Sequence, residues 1–410
     1  MGTAPRIRPC RYSERVNTKR ATPGSQASLR ESNRARLVEA VKHHGGLTQV
    51  ELAGATGLSP ASVSNIVKEL VAAGVLATST TTRSGRRAQY VTLARTVGLV
   101  AGVHFGTRHL HVAIADATGL VLADQRMPLA SDHRADAGLD RLALLLADMV
   151  DALDASLEEL LAVGLGIPAP FDSETGQVTS PGMLRGWGGV DVAQVMSRRI
   201  ATPVFVDNDA NLGALAELRQ GAARGAQNAV YVSVSHRIGA GLVLGGEVYR
   251  GAIGTAGEIG HVTIDENGPI CRCGNRGCLE TFAGAHHLLE MLRGSHGALT
   301  LRDVIRLALD DDAGCRRVIS DAGRHIGVAL ANLCNLLNPQ RVVIGGELAT
   351  AGELLLGPVR DAVARCALPS TAEAVEIVPS ELGGEAELRG AVALAIDHAA
   401  VQVLAQTPLS

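Results

Sequence analysis

The chain has 410 residues, about three folded units at roughly 150 residues each, and its 46% hydrophobic and 19% charged content exclude global disorder. Aromatic residues are only 2%, which argues against recognition of single-stranded nucleic acid by rows of stacked rings. The formal net charge of −3 hides a split: residues 1–95 carry 15 basic and 5 acidic residues, and the remainder 23 and 36. A head of +10 on a body of −13 is the pattern of a polyanion-binding module joined to an ordinary acidic domain. No apolar run reaches the roughly 18–20 residues that span a membrane. Arg6, Arg8, Arg11 and Arg15 are followed by no apolar core, so a secretory signal is not read there. Seven cysteines, three of them clustered, fit a reducing compartment and a metal site better than a disulfide framework, and the cytoplasm is expected.

Residues 1–28 carry Pro, Ser, Thr and Arg without periodicity and are expected to form a disordered basic arm. It is either a dispensable tail or a source of phosphate contacts beside the next domain. From 29 to 95 the pattern is that of a winged helix-turn-helix. Leu29, Ala35, Leu37, Val38, Ala40 and Val41 lie in a first helix ended near Gly45-Gly46. Thr48 with Glu51 forms a capping box for a second helix. After the turn Ala55–Leu58, Ser59 caps a third helix with Pro60 at its first position. Val63, Ile66, Val67 and Leu70 make its core face. Ser59, Ser62, Ser64, Asn65 and Lys68 leave it a small, polar side fit for a major groove, with Asn65 available for base edges. Two strands, 75–80 and 88–93, flank a turn bearing Arg83, Arg86 and Arg87, an arginine-tipped wing suited to phosphates or a narrow minor groove.

The body opens with a three-strand meander over 99–123, a helix over 138–160 and a buried strand ending at Pro168. This β-β-β-α-β order is not that of a dinucleotide-binding unit, and no GxGxxG follows a strand. At 204–211 a strand runs into a helix through Asn208 and Asp209. Asp209 has the chemistry of a general base and Asn208 that of a hydroxyl-orienting group, or the pair simply caps the helix. A second hairpin set, 229–249, precedes Gly257-Glu258-Ile259-Gly260-His261 and then Cys271, Cys273, Cys278 and Glu280. Three thiolates and the imidazole of His261 complete a closed tetrahedral set for a structural Zn²⁺, with no open position for catalysis.

These residues resemble the ROK family of repressors, open reading frames and sugar kinases, and within it the winged-helix repressor branch. The likeness covers about residues 29–405 and is most specific between Ile238 and Glu280. It implies a two-lobed actin-like, ribonuclease H-like α/β sugar-kinase fold behind the head. The first lobe would comprise 96–208 plus 391–410, and the second, bearing the zinc site, 209–390. It also implies that Asn208, Asp209, Glu258, His261 and Glu280 bind sugar hydroxyls, and that 338–346 is the adenosine-side strand and Gly-Gly turn. Two positions depart from the kinase pattern. His104 stands where kinases have the Asp of Asp-x-Gly-x-Thr, and Arg237 replaces a glycine of the second phosphate loop.

The expected function is therefore a non-enzymatic, sugar-responsive DNA-binding regulator, most simply a repressor released from its operator by a sugar or sugar phosphate. Asp209 would be a vestigial base, and ATP is not expected as a ligand. A homodimer, or a dimer of dimers, on palindromic duplex DNA is the expected assembly, with no membrane partner. The alternatives are an active ATP-dependent sugar kinase with an added head, and a body that is only a dimerisation scaffold.

Overall fold

The computed structural model describes residues 26–44, 46–83, 86–94, 98–129, 134–172, 175–179, 184 and 186–406. Most of the expected arm and the wing-tip pair Ser84-Gly85 lie outside the described residues. Among the described residues no helix is long and apolar enough to cross a membrane.

The head is built as its caps dictate. Helix α1 (Gln26–His44) starts within the segment expected to be arm. Strand β1 (Leu47–Thr48) leads into α2 (Gln49–Thr56), whose capping box is complete: Thr48 N donates to Glu51 Oε2 at 2.8 Å and Glu51 N to Thr48 Oγ1 at 3.3 Å. Helix α3 (Pro60–Ala72) is capped by Ser59, whose Oγ accepts from Ser62 N at 3.1 Å. Strands β2 (Leu76–Arg83) and β3 (Arg86–Leu93) pair antiparallel, and β1 adds to β3. Leu37, Val41, Leu52, Val63, Val67, Leu70 and Val91 bury their side chains between the three helices and this small sheet.

The body holds two five-stranded sheets of identical topology. In the first, β4 (Leu99–Phe105), β5 (His109–Asp116) and β6 (Val121–Pro128) form the meander. After α4 (Ala135–Asp151), β7 (Leu160–Ile167) runs parallel to β4. The small ribbon β8 (Phe171–Asp172) with β9 (Gln177–Val178) and helix α5 (Val192–Ile200) lead to β10 (Val204–Asn208), giving the order β10-β7-β4-β5-β6. Helix α4 is shorter than the expected 138–160 segment. The chain turns at Asp154, whose φ is +54°, and Leu160 already belongs to the buried strand.

Helix α6 (Asp209–Gln220) then enters the second sheet, where β11 (Ala229–Val234), β12 (Ile238–Leu244) and β13 (Glu247–Tyr249) repeat the meander. Helices α7 (Glu280–Ala283), α8 (Ala285–His296), α9 (Leu301–Leu309) and α10 (Ala313–Leu337) follow. Strand β14 (Arg341–Gly345), α11 (Glu353–Cys366), α12 (Pro369–Ala374) and β15 (Glu376–Pro379) complete the order β13-β12-β11-β14-β15. A large apolar core fills the space between this sheet and α8 to α11.

Helix α13 (Ala386–Gln406) joins the three parts. It lies against β4 and β7 of the first sheet and against α6. The first contact needs a missing side chain: a Cβ at Gly164 of β7 would sit 2.0 Å from the carbonyl oxygen of Ala391. The head rests on the same helix. Ile396 of α13 and Ala117 of the β5–β6 turn pack into the head's apolar core. Lys42 of α1 reaches the Asp397 carbonyl at 2.5 Å, and Arg219 of α6 bonds the Asp397 carboxylate at 2.7 Å. Phe205 and His398 stack at 3.6 Å beside this contact.

Candidate ligand cleft and DNA interface

Between the two sheets lies a cleft of about 1000 Å³, and its lining includes Asn208, Asp209, Glu258, His261 and Glu280. These five expected sugar residues come from three places: the β10–α6 junction, the loop after β13, and the start of α7. Asn208 is first a cap. Its Oδ1 accepts from Ala210 N at 2.9 Å, and its Nδ2 donates to Ala169 O at 3.2 Å across to the loop after β7. Asn208 therefore caps the helix and also lines the cleft. Asp209 accepts from Ala210 N at 2.8 Å through Oδ1, and its Oδ2 lies 3.7 Å from His104 Nε2. Burial disfavours charge on His104, but the interaction of its ring N–H with the accepting Asp209 carboxylate and the charges of Glu387 and Asp209 outweigh it, so its pKa is raised.

Glu258 is placed by a tight turn. Gly257 has φ +92°, and a Cβ there would stand 2.0 Å from Ala240 O, so only glycine lets this loop close onto β12. Burial, then the carboxylates of Asp209 and Glu280, push Glu258 up to about 7, against the opposing pull of Arg237. Glu280 is 8% exposed in its side chain and pairs with Arg272 at 3.3 Å through Oε1. Its Oε2 is buried with no hydrogen-bond partner among the described residues. Such an orphaned acceptor costs about 1–3 kcal/mol until a donor arrives. Three carboxylates held this close are answered by donors such as vicinal hydroxyls. Arg237, at the β11–β12 turn, donates to Pro168 O across the cleft, and its guanidinium feels Glu280, Asp209 and Glu258. At the Gly-Gly turn after β14, Glu347 N donates to Ser235 Oγ at 2.8 Å, tying that turn to the same hairpin.

Behind Glu258 and Glu280 the thiols of Cys271, Cys273 and Cys278 and the imidazole of His261 converge, their donor atoms all within 4.8 Å of one another. Cys271 Sγ lies 3.6 Å from His261 Nδ1, and Cys273 Sγ lies 3.7 Å from Cys278 Sγ. A tetrahedron with metal–sulfur bonds of about 2.3 Å has edges of about 3.8 Å, so the four residues could hold a metal ion. Burial and the adjacent thiols push Cys278 up to about 12, and burial lowers His261. A divalent cation would reverse the first effect and takes the neutral imidazole that the second favours. With Nδ1 toward the sulfurs, Nε2 of His261 is left for the cleft.

On the head, Asn65 and Lys68 of α3 are exposed, Ser59 is exposed, and Ser62 and Ser64 are half-buried. Ser59 and Ser62 hydroxyls lie 2.8 Å apart within the cap. Arg34 of α1 pairs with Glu69 of α3 at 2.5 Å. Arg83 and Arg86 are the last paired residues of the wing, and the side chains of Arg83, Arg86 and Arg87 fall outside the described residues.

Residues 100–398 match the family profile described as ROK family. The chain belongs to the ROK family. Residues 31–88 match the MarR family profile, so the winged helix of this ROK protein is of the MarR type. A xylose repressor of Bacillus subtilis strain 168 is 29% identical over 375 residues, covering 91% of this chain and 97% of the repressor. A glucokinase of Halalkalibacterium halodurans is 33% identical over 312 residues, covering 70% of this chain and 92% of the kinase. Among solved structures, a ROK family transcriptional regulator homologous to the E. coli MLC protein superposes with a TM-score of 0.76 at 25% identity, covering 92% of this chain and 99% of that one.

The ROK cleft also contains residues that the sequence reading missed. Arg108, His109, Arg126, His236, Arg302 and Glu387 line it. Glu387, 5% exposed at the start of α13, accepts from Tyr231 Oη and Ser233 Oγ, each at 2.9 Å. Apart from His236, which neighbours Arg237 in the second phosphate loop, none of these residues sits in a local motif. They come from separate elements of both sheets and from α9 and α13, and only the fold assembles them.

Proposed function

We propose that this ROK protein is a sugar-responsive transcriptional regulator, acting as a repressor whose grip on its operator weakens when a sugar enters the cleft. The observation that carries the reading is the joint presence of two sites in one chain. One is a polar recognition helix on a winged head. The other is a cleft whose clustered carboxylates, Asp209, Glu258 and Glu280, include an oxygen with no donor among the described residues. The similarity to a repressor along 97% of that protein's length supports taking the sites together.

In this reading Asn65 meets base edges, Lys68, Ser59, Ser62 and Ser64 border the groove, and Arg83, Arg86 and Arg87 of the wing meet phosphates. A homodimer presents two heads to a palindromic operator with half-sites about one helical turn apart. The sugar is held by Asn208, Asp209, Glu258, His261 and Glu280. The closing bodies are 96–208 with 391–410 and 209–390. Helix α13 carries the closure, because Glu387 stands in the cleft and Ile396 and Asp397 stand under the head. A sugar can act this way only by binding one arrangement of the lobes better than the other.

A structural Zn²⁺ held by His261, Cys271, Cys273 and Cys278 fits the donor set, and its positive charge would favour the thiolates and fix the His261 ring. His261 then presents Nε2 to the sugar, and the loop carrying Glu258 and Glu280 is pinned to its hairpin.

A second reading, a sugar kinase with Asp209 as base, is favoured by the glucokinase similarity and by the place of Asp209 in the cleft. Against it stand the two departures from the kinase pattern that the family resemblance implies: His104, 3.7 Å from Asp209, in place of an Asp, and Arg237, which donates to Pro168 O, in place of a glycine.

The test begins with an operator selected from random duplexes and measures its affinity by fluorescence anisotropy with and without xylose, glucose and N-acetylglucosamine. Affinity should fall with one of them. Unchanged affinity across the panel would remove the sensor reading, and sugar-dependent ADP release at about 1 s⁻¹ would favour the kinase.

A further inference from the structure

Three unlike donors converge outside the cleft lining, where α8 ends and α10 begins. His296 closes α8, Asp312 caps α10, and Cys315 lies in the first turn of α10. Their donor atoms, one nitrogen, one oxygen and one sulfur, all lie within 4.8 Å of one another. His296 and Asp312 are half-buried and Cys315 is fully buried. The neighbouring arginines are engaged with other acids, Arg316 with Asp311 and Arg293 with Glu290. Among the described residues Asp312 pairs with His296, at 3.1 Å.

The hydrogen bonds fix which ring nitrogen carries the proton. Ser295 Oγ donates to Leu292 O at 3.2 Å, so toward His296 Nδ1, 2.7 Å away, it can only accept. Nδ1 therefore holds a proton, and in the neutral ring Nε2 turns a lone pair to the Asp312 carboxylate at 3.1 Å. Two acceptors this close need a cation between them. A proton on Nε2 would serve that pair alone, whereas a metal ion engages all three donors. Bonds of about 2.0–2.3 Å give tetrahedral edges of about 3.3 Å between nitrogen and oxygen and about 3.6 Å to sulfur. The first edge is nearly met, and the sulfur has at most about 1.2 Å to close. The groups behind the ligands are also in place. Ser295 orients the ring, and Cys315 N donates to Asp312 Oδ1 at 2.8 Å, which leaves Oδ2 for the ion.

We propose that His296, Asp312 and Cys315 form a metal site separate from the cysteine cluster, taking a divalent ion of the zinc class. A set of imidazole nitrogen, carboxylate oxygen and thiolate sulfur suits zinc or cobalt and disfavours magnesium or calcium, which take oxygen ligands. Three protein ligands leave the fourth position to water, so the ion exchanges more readily than one in a closed set of four. Binding releases the Cys315 thiol proton to solvent. The ion clips together the two ends of residues 297–311, the segment that carries α9. Leu301, Arg302, Ile305 and Arg306 of α9 line the cleft, so occupancy stiffens one of its walls.

The test dialyses the full chain against metal-free buffer and titrates cobalt(II), whose bond to a thiolate absorbs in the near ultraviolet. One equivalent should bind beyond the metal that the chain retains, by elemental analysis, and the absorption should rise in step with it. Cys315→Ser should abolish the absorption, and His296→Gln and Ser295→Ala should each weaken binding tenfold or more. Circular dichroism without cobalt confirms that the variants fold. Positions 295 and 296 lie at or near the surface, so those two variants carry the test if the buried Cys315→Ser does not fold. Hydrogen exchange in α9 should slow on adding cobalt to the parent chain and stay unchanged in His296→Gln. Failure of the dialysed chain to bind cobalt overturns the site and leaves a proton between His296 and Asp312. Cobalt uptake matched by equal zinc release, with none bound beyond it, assigns the absorption to the cysteine cluster and also overturns it. So does absorption that survives in a folded Cys315→Ser chain, or undiminished affinity in His296→Gln. Binding that leaves exchange in α9 unchanged overturns the clip.

Discussion

Replacing Lys42 with Met should uncouple the head from the cleft. The Lys42 side chain is 2% exposed and its ammonium donates to the Asp397 carbonyl at 2.5 Å. Its other partner, Glu39, is 63% exposed at 3.1 Å and adds little. Met keeps the apolar stem and most of the volume, so the loss is confined to one hydrogen bond from a charged donor, about 1.5–3 kcal/mol. At about 1.4 kcal/mol per factor of ten, the ratio of seated to unseated heads falls roughly 10- to 100-fold. Hydrogen exchange should then lose protection in α1 and in the 392–399 part of α13, with β4 and β7 unaffected. The factor by which effector weakens operator binding should shrink, while effector affinity stays as in the parent chain. Full retention of that factor, together with unseated heads by hydrogen exchange, would refute α13 as the route between the sites.

Glu258→Gln should stabilise the body at alkaline pH and abolish sugar binding. The folded carboxyl sits near 7 against an ordinary 4.5, so stability in the parent chain falls as pH rises from about 4.5 to about 7, and Gln avoids that loss. The 2.5-unit difference corresponds to about 3 kcal/mol at most, fully developed at pH 8.5 and absent at pH 4. Thermal midpoints of the two proteins at those pH values measure it. Cys273→Ser, or a strong chelator, should remove about one Zn²⁺ per chain and with it ligand-induced stabilisation, read by elemental analysis and thermal shift. On DNA, Asn65→Ala should change base preference in a binding-site selection. Arg86→Ala with Arg87→Ala should weaken all sequences alike and flatten the salt dependence.

The parts of the molecule legible in sequence are those fixed by short-range chemistry. The Thr48–Glu51 box and the Ser59-Pro60 start are local arrangements of donors and acceptors, and they set the head's helices with little help from the rest of the chain. The cysteine spacing likewise confined its three thiols to one turn-rich loop before any fold was known. The duplicated sheet order carries no comparable mark, since two meanders with unrelated residues share only their hydrogen-bond topology. Arg108, Arg126 and Arg302 of the cleft lining were invisible for a related reason. Arg126 reads as one more exposed residue on an edge strand, and Arg302 as the polar side of an amphipathic helix, until the lobes face each other. Asn208 marks the boundary between the two cases, because capping is a local role and facing a ligand is not.

Helix α13 has a bearing on how such proteins diversify. Its first turn is part of the cleft wall, its middle is the roof of the first sheet, and its later turns are the seat of the head. A head transplanted from another regulator would have to bring a lysine at the Lys42 position and an α1 face shaped for Ile396. Head and body are therefore matched parts at this seam, and in the proposed function a chimera that ignores it is expected to bind DNA yet be deaf to its effector.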